Sequence, residues 1–148
     1  MDRSKAAEEF AKALFSVGVE RSVEAFSDGL STPGGKDKSL WEQAKSLYES
    51  QTDEGKAVIR FMVKEASVLS AFGVAVFLDG ASGYWDAEGQ PAEFTVALNI
   101  YDNVEEAQTL TETVQVCPVK DAEDVHDIFM DLVDEAEAAG YPQANIFP

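Results

Sequence analysis

The spacing of apolar residues changes character at Asp79-Gly80, and this change restricts the fold more than any other feature of the chain. Before it, apolar residues recur at intervals of three and four, as on one face of a helix. After it, Phe94, Val96, Leu98 and Ile100 alternate with more polar or smaller residues, which is the period of a half-buried strand. Leu110-Thr111-Glu112-Thr113-Val114-Gln115-Val116 repeats that alternation. A helical period then returns in Val125, Ile128, Phe129, Leu132, Val133 and Ala136. The expected class is therefore α+β: N-terminal helices, a small two- or three-stranded antiparallel sheet, and a C-terminal amphipathic acidic helix, with helices covering one sheet face.

Within that outline, Ser4 to about Leu30 is expected to be helical. Phe10, Leu14 and Val17 make one apolar stripe, Val19, Val23, Phe26 and Leu30 a second, and Gly18 between them is expected to kink or divide the helix. Residues 31–37 hold a proline and two glycines and read as a loop. A second helix is expected from Ser39 to Ser50, burying Leu40, Trp41, Ala44, Leu47 and Tyr48. A third, capped by Thr52 or Asp53, runs through Val58, Phe61, Met62, Leu69 and Phe72 to about Leu78. Over 73–78, periodicity alone does not separate helix from buried strand. Gly83 to Asp86 reads as a short strand, residues 87–91 as a turn, and Asp102 to Thr109 as a loop between strands. The last helix has Asp121 as its cap and Glu123 and Asp124 in its first turn, where the helix dipole favours them. Gly140 and Pro142 end it. The apolar Ile146 and Phe147 either dock on the body or are offered to a partner. Neither a repeat nor a linker breaks the 148 residues, so 1–148 is read as a single α+β domain. A chain of this length buries roughly 70% of its unfolded surface and needs no staples.

Charge is the loudest compositional signal. The chain carries 28 acidic against 11 basic residues, a net charge of −17. Residues 101–148 hold twelve of those acids and one base, Lys120. A field so placed argues against direct binding to nucleic acid or to an anionic membrane, both polyanions. The N-terminal residues lack the apolar stretch of a signal peptide. The apolar run from Ala66 to Leu78 is shorter than the ~20 residues that span a bilayer. With a lone cysteine, Cys117, no internal disulfide can form. These features lead to the expectation of a cytoplasmic protein with no membrane partner.

Catalytic chemistry finds little footing. His126 is the one histidine, and no Gly-x-Ser-x-Gly elbow presents a nucleophile. His126-Asp127 is a pair found in metal-dependent phosphohydrolases, whose sites need further histidines that this chain lacks. Cys117 ends a strand beside Pro118 and reads as a core or edge residue more readily than as a thiolate nucleophile. Gly80-Ala81-Ser82-Gly83 is not followed by the Lys-Ser/Thr of a phosphate-binding loop. Asp79, Asp86 and Glu88 do not match the order of a calcium-binding loop. The expectation is a non-enzymatic protein without catalytic residues, metal or cofactor.

What remains is a row of carboxylates. Asp124, Asp127, Asp131 and Asp134 are spaced 3, 4 and 3, which puts them on one helix face, with Glu123 and Glu137 extending it. Like charges at these spacings repel by a few tenths of a kcal/mol per pair. The row is either a solvated face serving solubility or a docking surface that imitates a line of phosphates. In the second case the partner is a basic protein such as a toxin, a nuclease or a nucleic-acid-binding protein, met by steering and charge pairing. Trp85, with Tyr84, Tyr101 and Phe147, is a candidate apolar anchor. The middle helix running into Phe72-Gly73-Val74-Ala75-Val76-Phe77-Leu78-Asp79-Gly80, with the later Asp124-Val125-His126-Asp127-Ile128-Phe129, resembles small bacterial proteins of the immunity-protein kind. The resemblance covers about a fifth of the chain and implies an antagonist of a toxin or nuclease. Two other readings stand beside it: a self-associating adaptor or structural subunit whose acidity serves solubility, and a small-molecule-binding domain with a pocket near Tyr84 and Trp85.

Overall fold

The helical half begins with α1 (Arg3–Phe15), whose first turn is capped by Asp2: its Oδ1 accepts the Lys5 N–H at 2.9 Å. The computed structural model describes residues 1–79, 86–87, 90–91, 96–104, 107–117, 124–142 and 147. A π-helical segment, Ser16–Glu20, joins α1 to α2 (Arg21–Ser31), so the helix widens around Gly18, where a kink or a division was expected. The extra residue in a π turn rotates the succeeding turns by about 100° relative to an unbroken α-helix. The buried positions are Ala6, Ala7 and Ala11 in α1, and Val19, Val23, Ser27 and Leu30 from the π turn onward. Phe10 and Leu14 are only half-buried and Val17 is exposed, so the first expected stripe is not the buried face.

α3 (Lys38–Glu49) and α4 (Asp53–Leu78) come next, the latter reaching Leu78 as the periodicity suggested. Thr52 caps α4, its Oγ1 accepting the Gly55 N–H at 3.2 Å. The faces of both helices differ from expectation. On α3, Tyr48 is buried with Trp41 and Ala44 beside it, at i, i+3 and i+7, while Leu40 and Leu47 are exposed. The indole of Trp41 decides this. It lies so close over Gly29 that a Cβ there would stand 2.6 Å from the ring, and Leu40 and Leu47, one residue earlier in each turn, point elsewhere. On α4 the buried residues are Lys64, Val68, Ala71 and Ala75. The larger Val58, Phe61, Met62 and Leu69, expected inside, are outside; Phe61 is 59% and Leu69 65% exposed. By length and composition α4 is long and apolar enough to cross a membrane, and 22% of its apolar stretch is buried.

Among the described strands, β1 (Asp86–Ala87) pairs antiparallel with β2 (Gln90–Pro91), and β3 (Val96–Val104) with β4 (Ala107–Cys117). Leu98 faces Val114 and Ile100 faces Glu112 in the longer ladder. Val114 and Val116 are buried and Val96, Leu98 and Ile100 half-buried, while Ala97 and Asn99 face outward, as the alternation requires. On the outer side Thr113 Oγ1 donates to Asn99 Oδ1 at 2.8 Å, and Thr111 Oγ1 to the Ile100 carbonyl at 3.0 Å. The pairing continues to Val104 opposite Ala107. Residues 102–104 and 107–109, expected in a loop, are therefore ladder. Most of the strand expected over Gly83–Asp86, Tyr84 and Trp85 included, lies outside the described residues, as do Asp121 and Ile146.

α5 (Val125–Ala138) buries Val125, Phe129 and Val133, with Ile128, Leu132 and Ala136 half-buried, the stripe that the spacing predicts. Gly140 ends it at φ +84°, a left-handed conformation that glycine adopts without strain. The Gly140 and Tyr141 N–H groups return to the Glu137 and Ala136 carbonyls, and the Tyr141–Pro142 peptide is cis.

The chain divides into two compact units, Met1–Leu14 with Phe72–Leu132, and Phe15–Ala71 with Val133–Pro148. The first contains the β3–β4 hairpin and buries Ala6, Ala7, Ala11, Ala75, Val114, Val116, Val125 and Phe129. In the second, Val23, Leu30, Tyr48 and Phe147 form a core against which Phe26, Trp41, Ala44, Ile59 and Val63 pack. Phe147 is thus docked, stacked 6.3 Å from Tyr48. Arg60 bonds the Tyr48 hydroxyl at 3.1 Å and lies 6.0 Å over the Phe147 ring.

Tyr141 packs 6.1 Å from Phe15, and its buried hydroxyl has no hydrogen-bond partner among the described residues. Burial, reinforced by the charges of Glu20 and Glu24, pushes the phenol up to about 12. Unfolding releases it to ionise near 10, so the unfolded state binds fewer protons above that pH and stability falls as pH rises from 10 towards 12. Tyr141→Phe is expected to raise stability by about 1 kcal/mol at neutral pH, by removing an unsatisfied hydroxyl. It should also flatten the alkaline arm of a urea-denaturation series. An unchanged alkaline arm would show that Tyr141 does not carry it.

Candidate functional site

α5 is set by its apolar stripe, so its carboxylates take the opposite side. Asp127, Asp131 and Asp134 are exposed on it, Asp127 at 62% of its side chain. Among the described residues, no lysine or arginine pairs with any of the three; the one basic group near them is the His126 ring, its Nε2 3.5 Å from Asp127 Oδ1. Asp124 stands just before the helix rather than in its first turn, half-buried, with its carbonyl accepting the Asp127 and Ile128 N–H groups.

Glu137 is differently placed from the others. Its carboxylate meets Lys64 on α4, an ammonium that also pairs with Glu65 at 2.8 Å and lies over the Phe61 ring. Burial works to lower the Lys64 ammonium. The hydrogen bonds and charges of Glu137 and Glu65 outweigh it and hold the group above the ordinary lysine value. Glu137 thus has a partner of its own, whereas Asp127, Asp131 and Asp134 face outward. Glu123 and Trp85 lie outside the described residues, and so does the pocket expected near Tyr84 and Trp85.

The other end of α5 is held by Asp79, the residue immediately after α4. Its side chain is 2% exposed, and Oδ2 accepts both the His126 backbone N–H at 2.8 Å and the ring Nδ1 at 2.9 Å. A remote carboxylate therefore caps the first turn of α5 and orients its histidine. The Phe72 ring closes on the imidazole edge-on at 6.1 Å. The sequence singles out each residue, the lone histidine and the acid at the point where the apolar spacing changes, without pairing them.

A self-associating subunit calls for an apolar surface, and the sequence did not say which residues form it. Leu40 and Leu47 on α3, and Val58, Phe61, Met62 and Leu69 on α4, present large apolar side chains to solvent. The α4 residues stand at i, i+3, i+4 and i+11, one face of the helix. Shallow grooves are also present, one of about 540 Å³ lined by Ser4, Lys5, Glu8 and Ile128 and another of about 300 Å³ lined by Asp37, Leu40, Trp41 and Ala44.

Comparison with protein-family models, with curated proteins and with solved structures finds no match to this chain.

The cap predicts its own removal. Asp79→Ala leaves the His126 N–H and the half-buried ring without their acceptor and should cost about 2 kcal/mol in chemical denaturation. A loss below a few tenths of a kcal/mol would mean that water replaces the carboxylate without penalty.

Proposed function

We propose that the chain is a non-enzymatic acidic binding protein, an immunity- or inhibitor-type antagonist that docks the carboxylates of α5 on a basic partner. A nuclease, another toxin or a nucleic-acid-binding protein fits that description. The observation that carries the reading is the exposure of Asp127, Asp131 and Asp134, without a lysine or arginine partner among the described residues. The excess of eleven negative charges over residues 101–148, twelve acids against Lys120, supports it. Carboxylates one helical turn apart, about 5–6 Å between Cβ atoms, offer a basic groove a line of acceptors. The chain's own field speeds the encounter and makes the complex salt-sensitive. A cytoplasmic setting suits such a partner.

The test is a pull-down from a bacterial lysate at low and at moderate salt, beside a folded Asp131→Lys/Asp134→Lys variant. The expected outcome is capture of a basic protein by the native chain, weakened at least ~10-fold by salt and abolished in the variant, as buried charge pairs lost across an interface imply. Equal capture by both chains, or capture by neither, would leave the acidic row as solvation alone.

A second reading is favoured by a specific observation. The exposed apolar residues of α3 and α4 suit self-association, with the acidity serving solubility. Sedimentation equilibrium then shows a salt-insensitive dimer that Phe61→Lys/Leu69→Lys converts to monomer. A native chain that is monomeric at every concentration removes this reading.

A further inference from the structure

The Asp79–His126 tie fixes more than a helix end. A buried carboxylate accepting from Nδ1 places the ring proton there, so Nε2 is the nitrogen left to act as a ligand. That nitrogen stands 3.5 Å from Asp127 Oδ1. Two ligand atoms each about 2.1 Å from a tetrahedral zinc stand about 3.4 Å apart, so this separation admits a metal ion held by both.

Asp124 completes the set, since one ligand atom from each of Asp124, His126 and Asp127 lies within 4.8 Å of the other two. The surroundings also suit a metal. Histidines that bind metal donate their other ring N–H to a carboxylate or carbonyl, which fixes the ring and raises its basicity. Asp79 occupies that position from outside the ligand set, and Phe72 supplies an apolar wall.

We propose that Asp124, His126 and Asp127 bind a divalent transition metal of the zinc class, through His126 Nε2 and one oxygen from each carboxylate, with Asp79 as the positioning residue. Imidazole with two carboxylates is a donor set for Zn²⁺, Co²⁺ or Mn²⁺ rather than for Mg²⁺ or Ca²⁺. Three protein ligands leave a fourth position to water or to an incoming ligand. This departs from the expectation of a metal-free protein, and it stands apart from the docking of α5, whose test varies Asp131 and Asp134 alone.

The experiment uses the full chain, stripped with chelator and titrated calorimetrically with zinc chloride. Ring ¹⁵N spectra of the single histidine are recorded in parallel. Expected are one Zn²⁺ per chain and a zinc-dependent shift of the Nε2 resonance, with Nδ1 still protonated. Affinity should fall at least ~10-fold in His126→Gln and in Asp127→Asn, the latter an exposed site whose folding is not at risk, and by about 10–100-fold in Asp79→Asn. Asp131→Asn, on the same helix, should bind as the native chain does. Absence of binding, equal affinity in Asp127→Asn, or several weak equivalents of zinc that moderate salt removes without moving the Nε2 signal would each overturn the proposal. In all three cases His126 is simply an imidazole among carboxylates.

Discussion

The rotational setting of α4 is the constraint on which much of the structure rests. Its second half is apolar on nearly every side, so hydrophobicity alone allows several orientations of comparable burial. Lys64 selects one. Its ammonium is held by Glu137 and Glu65 and lies over the Phe61 ring. A lysine removed from water is tolerable only where carboxylates meet it. With Lys64 turned inward, Val68, Ala71 and Ala75 come round at four, seven and eleven residues, and small side chains line the buried face. Phe61, Met62 and Leu69 are carried outward by the same rotation. The exposed apolar stripe is thus a consequence of burying one charged residue.

α5 is governed by ion chemistry at each end. At its start, Asp79 takes the His126 N–H and the ring Nδ1 on one oxygen, filling in from a distance the role that a local N-cap side chain plays in other helices. At its finish, Glu137 is committed to Lys64. The row of acids predicted from spacing is therefore not uniform. Glu137 belongs to the packing and Asp124 to the helix entry, while Asp127, Asp131 and Asp134 remain outward. The like-charge repulsion that these three retain is what makes a basic partner a physically reasonable complement.

Particular residues show why some elements were legible and others were not. The β3–β4 hairpin and α5 carry one unambiguous period each, so Val114, Val116, Val125, Phe129 and Val133 could be assigned to the core from spacing alone. Thr52 and Gly140 announce helix ends because their chemistry suits caps. The stripe through Phe10, Leu14 and Val17 misled because the buried face of α1 is lined by the small Ala6, Ala7 and Ala11, which stand out less in an apolar pattern than the larger side chains. Leu40 and Leu47 misled because the two leucines and the aromatics Trp41 and Tyr48 share overlapping helical patterns. The close approach of Trp41 to Gly29 decided between them. The tie between Asp79 and His126 spans 47 residues, and no local pattern can announce such a pairing.

The sequence by itself determined the class, the order of most elements, the apolar stripe of α5 and the concentration of negative charge in the last third. All of these are local or compositional properties, expressed through periods of two or 3.6 residues and through simple counting. Only the tertiary structure decided which face of α3 and α4 is buried, which carboxylates are engaged, and what holds the single histidine. Each of these depends on a partner distant in sequence: Gly29 for Trp41, Glu137 for Lys64, Asp79 for His126. Periodicity gives a helix two faces, but which of them turns inward depends on the groups it meets there.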